Sequence, residues 1–207
     1  MREIDPKTTS RAKAFELWMK AAMPMVTMTK TFDITHLRRL AKRKGVKLNM
    51  LMCYAIVRAA SEFREFYMLP VGDKLMEFDH LAINTIVRTE DGGINTCDIP
   101  YSGDIHTFAA DYLRITNEAT HSTTDITLGE DYMVIGSSAL TKCELDSVVN
   151  VYAGYWNNPF CVWGKYRKGW LRTTLPLSFQ FHHTQMDGPI STGFLNRLQE
   201  VMNEIEY

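Results

Sequence analysis

The segment Phe181-His-His-Thr-Gln-Met-Asp-Gly188 holds residue types whose spacing could do chemistry. Histidine changes protonation near neutral pH, so an imidazole fixed at a strand end can take a proton from a hydroxyl and later return it. His182 and His183 stand together there, and Asp187 follows close enough to lock the turn through an ion pair or hydrogen bonds. Gly188 is expected to let the backbone fold sharply back. Ahead of the segment, Leu175-Pro-Leu-Ser-Phe-Gln-Phe181 alternates like a strand. Behind it, Pro189 starts an amphipathic helix with Ile190, Phe194, Leu195, Leu198, Val201, Met202 and Ile205 on one face. Position alone leaves a pair of ordinary core or surface histidines equally open.

The chain has 207 residues, 45% of them hydrophobic, enough for one substantial core, so a single domain over residues 1–207 is expected. A net charge of -1 and a pI near 6.6 provide no global field for nucleic acid or an anionic membrane. The basic run His36-Leu-Arg-Arg-Leu-Ala-Lys-Arg-Lys44 reads as the solvated face of a helix. No apolar run reaches the roughly 18 residues of a membrane span. The start, Met1-Arg-Glu-Ile-Asp-Pro6, lacks the apolar segment of a secretory signal. Cys53, Cys97, Cys143 and Cys161 form no Cys-x-x-Cys pair. They read as small buried hydrophobes in a reducing cytoplasm, and no metal site is expected.

Elements that would position the turn follow from pattern. Thr9 or Ser10 can cap a helix carrying Ala14, Phe15, Leu17, Trp18 and Ala22, which Pro24 ends. Met25 to Phe32 alternates like a strand, and Asp33 or Thr35 opens a short basic helix stopped by Gly45. Asn49 is expected to cap an apolar, buried helix through Phe63. Strands are expected at Leu75–Phe78 and Leu81–Thr89, with a hairpin turn at Glu90–Gly93 and a return at Ile94–Ile99. Asp104 caps a helix to about Thr116, and Asn117 to Asp131 reads as a loop. Further strands are expected near Tyr132–Leu140 and Ser147–Tyr155. Helices and strands interspersed without a strict βαβ rhythm imply an α/β chain with a mixed β-sheet and helices packed on one face.

Several separated strings complete the picture: Arg11-x-x-x-Phe15-Glu16, Phe32-Asp-Ile-Thr35, Pro100-Tyr-Ser-Gly-Asp-Ile105, Ser138-Ala-Leu140, Gly164-Lys-Tyr166, and the stretch from Leu175 to Gly188. In this order and spacing they resemble the type A chloramphenicol acetyltransferases along nearly the whole chain. The His-His-x-x-x-Asp-Gly element alone also marks the catalytic domains of dihydrolipoamide acyltransferases, which share the fold.

The resemblance implies the coenzyme A-dependent acyltransferase fold and a homotrimer with active sites at subunit interfaces, where coenzyme A and the acceptor alcohol enter from opposite ends of a tunnel. It implies His183 as general base and an Asp187–Arg11 pair fixing the turn bidentately, with His182 structural. A serine hydroxyl would stabilise the oxyanion. Ser138 matches best, whereas an ungapped register places Gly136 there. Lys47, Lys165 and Tyr166 match positions that meet the adenosine and phosphate of coenzyme A, and no Gly-rich phosphate loop is present. The acceptor pocket departs from the family: Trp18, Ile94, Thr96 and Trp156 replace a tyrosine, a phenylalanine, an alanine and a tyrosine. Val162 replaces a threonine whose hydroxyl helps hydrate the transition state, and Gln180 is retained. Expected is a cytoplasmic acetyl-CoA-dependent O-acetyltransferase acting on chloramphenicol or a similar small molecule, with no metal, nucleic acid or membrane partner. The alternatives are the same machinery with a different acceptor, a dihydrolipoamide acyltransferase-like core, or a catalytically weak small-molecule binding protein.

Overall fold

The computed structural model describes residues 1–152 and 154–207. Its strands are β1 (Arg2–Ile4), β2 (Met25–Asp33), β3 (Met68–Val71), β4 (Lys74–Glu77), β5 (His80–Arg88), β6 (Ile94–Pro100), β7 (Tyr132–Leu140), β8 (Phe160–Gly164), β9 (Arg167–Lys168) and β10 (Thr173–His182). The helices are α1 (Ala12–Trp18), α2 (Thr35–Lys44), α3 (Leu48–Ala60), α4 (Ile105–His121) and α5 (Gly188–Glu204). The main sheet runs β2-β10-β8-β7-β5-β6, with β9 beside β10, and a small sheet runs β1-β4-β3. The β5–β7 and β7–β8 pairs are parallel and the others antiparallel, so the sheet is mixed as expected.

Alternation along β10 explains how the layers form. Leu175, Leu177, Phe179 and Phe181 enter one buried cluster with Phe194, Leu198 and Val201 of α5 and nearly all of α3. The intervening Pro176, Ser178, Gln180 and His182 face the opposite side, which carries no helix of this core. In strand register, Ser178 lies beside Val162 and Thr29, and Val162 beside Ser138. Thr96 lies opposite Ile86 on β6. Ser138, Thr96, Ile94, Val162 and Gln180 therefore share the helix-free face.

Several expectations are corrected. The described residues of Ser147–Tyr155 form no strand, and Ala153 lies outside the described residues. This stretch instead crosses the sheet face, where Val148 N donates to Ser178 Oγ (2.9 Å). Strand β8, a short all-apolar run without alternation, was not expected, and neither were the short strands β1, β3 and β9. Asn49 does not cap α3, because its amide donates to Tyr112 Oη (2.9 Å) and Thr85 Oγ1 (3.4 Å). Helix α1 starts at Ala12 with no side-chain cap and ends before Ala22. Thr9 Oγ1 instead accepts from Arg11 N. Helix α4 runs on to His121, shortening the expected loop, while Asp104 does cap it, accepting from His106 N and Thr107 N. Cys143 is exposed, and the other three cysteines are buried. Gly188 has no positive φ, and the turn is closed by Gln185 N donating to His182 O (2.9 Å).

Candidate active site

The histidine turn is held from three directions. His183 N donates to Pro24 O (2.8 Å) at the start of β2. Its ring stacks on Trp18 of α1, with centroids 4.7 Å apart and planes 8° from parallel. Arg11, only 2% exposed, lies beneath the turn. Its Nε donates to Thr184 O (3.0 Å), its Nη2 to His183 O (3.2 Å) and its Nη1 to Asp187 Oδ2 (2.9 Å). The expected bidentate pair is thus corrected: one guanidinium serves two backbone carbonyls and one carboxylate oxygen. The other carboxylate oxygen, Oδ1, accepts from Ile190 N and caps α5. Burial raises the Asp187 pKa, but the hydrogen bonds from Arg11 and Ile190 outweigh it and hold the group below its ordinary value.

The two imidazoles differ in surroundings. His182 is buried, and its Nδ1 accepts from Thr184 N (3.1 Å), which leaves the proton of the neutral ring on Nε2. Burial and then the neighbouring His183 push its pKa down to about 4, so near neutral pH it is uncharged. His183 is half-buried, with Nδ1 enclosed and unpartnered among the described residues. Its Nε2 is the nitrogen left for an approaching hydroxyl.

Ser138 is half-buried on β7 opposite Val162, and no hydrogen bond engages its hydroxyl among the described residues. Ser137, its neighbour, points the other way. It is fully buried, donating to Asn84 O (2.7 Å) beside Cys53. Two strand spacings across and five residues along the sheet put Ser138 roughly 19 Å from His183 of the same chain. Ile94 and Thr96 are further away, on the edge strand β6, and Ile94 is mostly exposed. Val162 is 4% exposed, covered with Ser178 by Leu145 to Val148. It is therefore not an open pocket wall. Trp156 and Gln180 do meet, in one cavity with Met25 and Phe160. Gly136 lies opposite Phe160, and a Cβ there would come within 2.2 Å of the ring.

Residues matching coenzyme A contacts gather at one end of the sheet. The bond from Asn49 to Thr85 sets the start of α3, and Lys47 before it, at the C-terminal end of β5. The parallel β7 and β8 end there too, and β8 leads into Lys165 and Tyr166. Lys47 and Arg88 line a cavity of about 570 Å³ with Tyr112, Asn117 and Thr120. The Tyr166 ring has Arg38 at 5.4 Å and Lys168 at 6.0 Å. A hydrogen bond from Arg38 leads the causes that draw the Tyr166 phenol below its ordinary pKa. Such a basic cluster suits phosphate oxygens. The sequence reading missed Arg38 and Lys168, since Arg38 stands in a run that otherwise reads as a solvated face.

A one-sided helix layer on a mixed sheet, ending in a pinned histidine turn, is the fold of the coenzyme A-linked acyltransferases. A solved chloramphenicol acetyltransferase superposes with TM-score 0.85 at 23% identity, covering 97% of this chain and 99% of that one. A probable dihydrolipoamide acetyltransferase from Listeria monocytogenes superposes with TM-score 0.71 at 16% identity, covering 99% and 94%. At the sequence level, residues 1–199 match the family described as chloramphenicol acetyltransferase. Chloramphenicol acetyltransferase 3 of Escherichia coli is 30% identical over 97% of this chain and 96% of its own length. Chloramphenicol acetyltransferase 2 of Escherichia coli is 28% identical over 98% and 97%. The chain belongs to the chloramphenicol acetyltransferase family and is an acetyltransferase. Among the described residues, no helix is long and apolar enough to cross a membrane.

Proposed function

We propose that the protein, as one acetyltransferase domain, transfers the acetyl group of acetyl-CoA to a hydroxyl of chloramphenicol or a similar small alcohol, within a ternary complex. The observation that carries this reading is the pinned His183, with Nδ1 enclosed and its ring stacked on Trp18. Nε2 takes the acceptor's proton, and the acceptor oxygen attacks the thioester carbonyl directly. Ser138 donates to the oxyanion that forms. Collapse of the tetrahedral intermediate breaks the carbon–sulfur bond, and His183 returns the proton to the departing thiolate. Arg11 and Asp187 hold the turn and carry no proton. Lys47, Lys165 and Tyr166 bind the nucleotide end of coenzyme A, with Arg38 and Lys168 adding charge.

The roughly 19 Å between Ser138 and His183 within one chain is too far for one reacting centre. It supports a site shared between copies, in a homotrimer, with one copy supplying His183 and its neighbour Ser138, Ile94 and Thr96. A second reading keeps the machinery and changes the acceptor. It is favoured by Val162, covered by Leu145 to Val148, and by Trp18, whose ring is committed to His183. The test is thiol released from acetyl-CoA with chloramphenicol and a panel of hydroxylated antibiotics. Turnover of chloramphenicol supports the first reading and turnover of another alcohol alone the second. Turnover of none, with coenzyme A bound normally, overturns both.

A further inference from the structure

Strand β3 lies at the edge of the small sheet, and its outer edge is taken by side chains rather than by another strand. Tyr67 O accepts from Phe78 N (2.8 Å), so Tyr67, Leu69 and Val71 turn their backbone polar groups toward β4, and Met68 and Pro70 turn theirs away. Proline, with no N–H to give a ladder, suits that outer edge. Both outward carbonyls are engaged. Met68 O accepts from Gln185 Nε2 (2.8 Å), and Pro70 O accepts from Asn157 Nδ2 (2.8 Å). They stand two residues apart, roughly 7 Å along the strand.

Each donor belongs to a different part of the site. Gln185, two residues after His183, closes the histidine turn, its own N donating to His182 O (2.9 Å). Asn157 follows Trp156 in the loop that walls a cavity of about 310 Å³ with Tyr155, Asn158 and Phe160. Asn158 donates to Val134 O on β7 (2.8 Å), so this loop is tied to the main sheet as well as to β3. Both donor amides are buried, and Gln185 Oε1 and Asn157 Oδ1 have no partner among the described residues. Each amide satisfies a carbonyl while stranding its own oxygen, so the two ties add little net stability. What they fix is position.

Resting on the acetyl-transfer reading, we propose that β3 is the spacer of the site: Gln185 and Asn157 are positioning residues that hold the turn carrying His183 and the loop carrying Trp156 to one strand, at one separation. Gln185 acts on proton transfer, through the place of the His183 imidazole. Asn157 acts on acceptor binding, through the place of the cavity wall.

The experiment measures initial rates with acetyl-CoA and chloramphenicol, or the panel alcohol that the protein turns over, on the intact protein, Gln185→Met and Asn157→Leu. Melting curves and amide hydrogen exchange by mass spectrometry are taken on the same preparations. Gln185→Met should lower kcat by about 10- to 100-fold, as a slightly misplaced base does, with KM for both substrates nearly constant. Asn157→Leu should raise KM for the acceptor several-fold, with a smaller effect on kcat. Exchange should quicken at residues 182–186 in the first variant and at 156–160 in the second. A fall in melting temperature with kcat and KM of the folded fraction intact would make both amides merely structural and overturn the proposal. So would the same constant changing in both variants. If Gln185→Met fails to fold, Gln185→Leu answers the same question, and failure of both overturns the positioning role. No thiol release with any alcohol sinks the acetyl-transfer reading, and exchange then decides alone: faster exchange at both segments keeps the spacer, and unchanged exchange sinks it too.

Discussion

Arg11→Ala is the most informative single change to the turn. The guanidinium is 2% exposed and makes three hydrogen bonds, to Thr184 O, His183 O and Asp187 Oδ2. Hydrogen bonds to charged groups are worth roughly 1.5–3 kcal/mol each. The Asp187 carboxylate is 41% exposed, so its ion-pair part contributes no more than about 1 kcal/mol. Allowing for relaxation and entry of water, Arg11→Ala should cost about 3–5 kcal/mol. Asp187→Ala loses one oxygen contact and the α5 cap, worth about 1 kcal/mol, and leaves Arg11 on its two carbonyls, so its loss should be distinctly smaller. Urea unfolding followed by far-UV circular dichroism at pH 7, on both single variants and the double variant, supplies the cycle. The double variant should be less than additive by roughly 1 kcal/mol. Arg11→Lys keeps the charge without the fork and should fall between. Equal losses from Arg11→Ala and Asp187→Ala would refute the three-way clamp, and strict additivity would refute contact between them.

His182 makes stability depend on pH. Its folded value, about 4, lies below the ordinary value of 6.5, so on acidification the unfolded chain takes up the proton first. Stability is therefore complete above pH 6.5 and lost as the pH falls through 4, by about 3 kcal/mol in full. His182→Asn should flatten that part of the profile, and an unchanged slope would place the loss elsewhere. Ser138→Ala should lower kcat by about 10²–10³ with KM nearly constant. Ser137→Ala should leave kcat alone but cost about 1 kcal/mol by stranding Asn84 O; equal kinetics in both variants would point to another donor. Val162→Thr puts a hydroxyl under Leu145 to Val148 and should leave kcat with chloramphenicol unchanged. A several-fold rise would mean that this cover lifts during turnover.

Where period and punctuation agreed, the fold was legible. The alternation of Leu175 to Phe181, the one-sided face of α5, the Asp104 cap and Gly45, at φ 67° as C-cap of α2, all stand in the structure. Misreadings arose where contacts distant in sequence overrode local preference. Val148 and its neighbours have β-branched residues that suggest a strand, yet Ser178 ties Val148 across the sheet face, just after Arg167 has tied Leu145. Asn49 has a cap-forming side chain, but Tyr112 and Thr85 offered better-placed oxygens. At the site, the resemblance named candidate residues, but it could not give their geometry. Arg11 meets Asp187 across 176 positions, and no spacing rule reveals that two backbone carbonyls share the same guanidinium. The ties from Gln185 and Asn157 to β3 and the seat of Phe160 on Gly136 likewise follow only from the fold.

The central claim is that His183, and not His182, moves the proton. The direct measurement is kcat for acetyl transfer by His183→Ala and His182→Ala, on preparations matched for folded fraction by their melting curves. His183→Ala should lose roughly 10²–10⁴-fold with little change in melting temperature. His182→Ala should keep most of its kcat and lose stability. The opposite ranking, with His182→Ala the dead enzyme, would contradict the account.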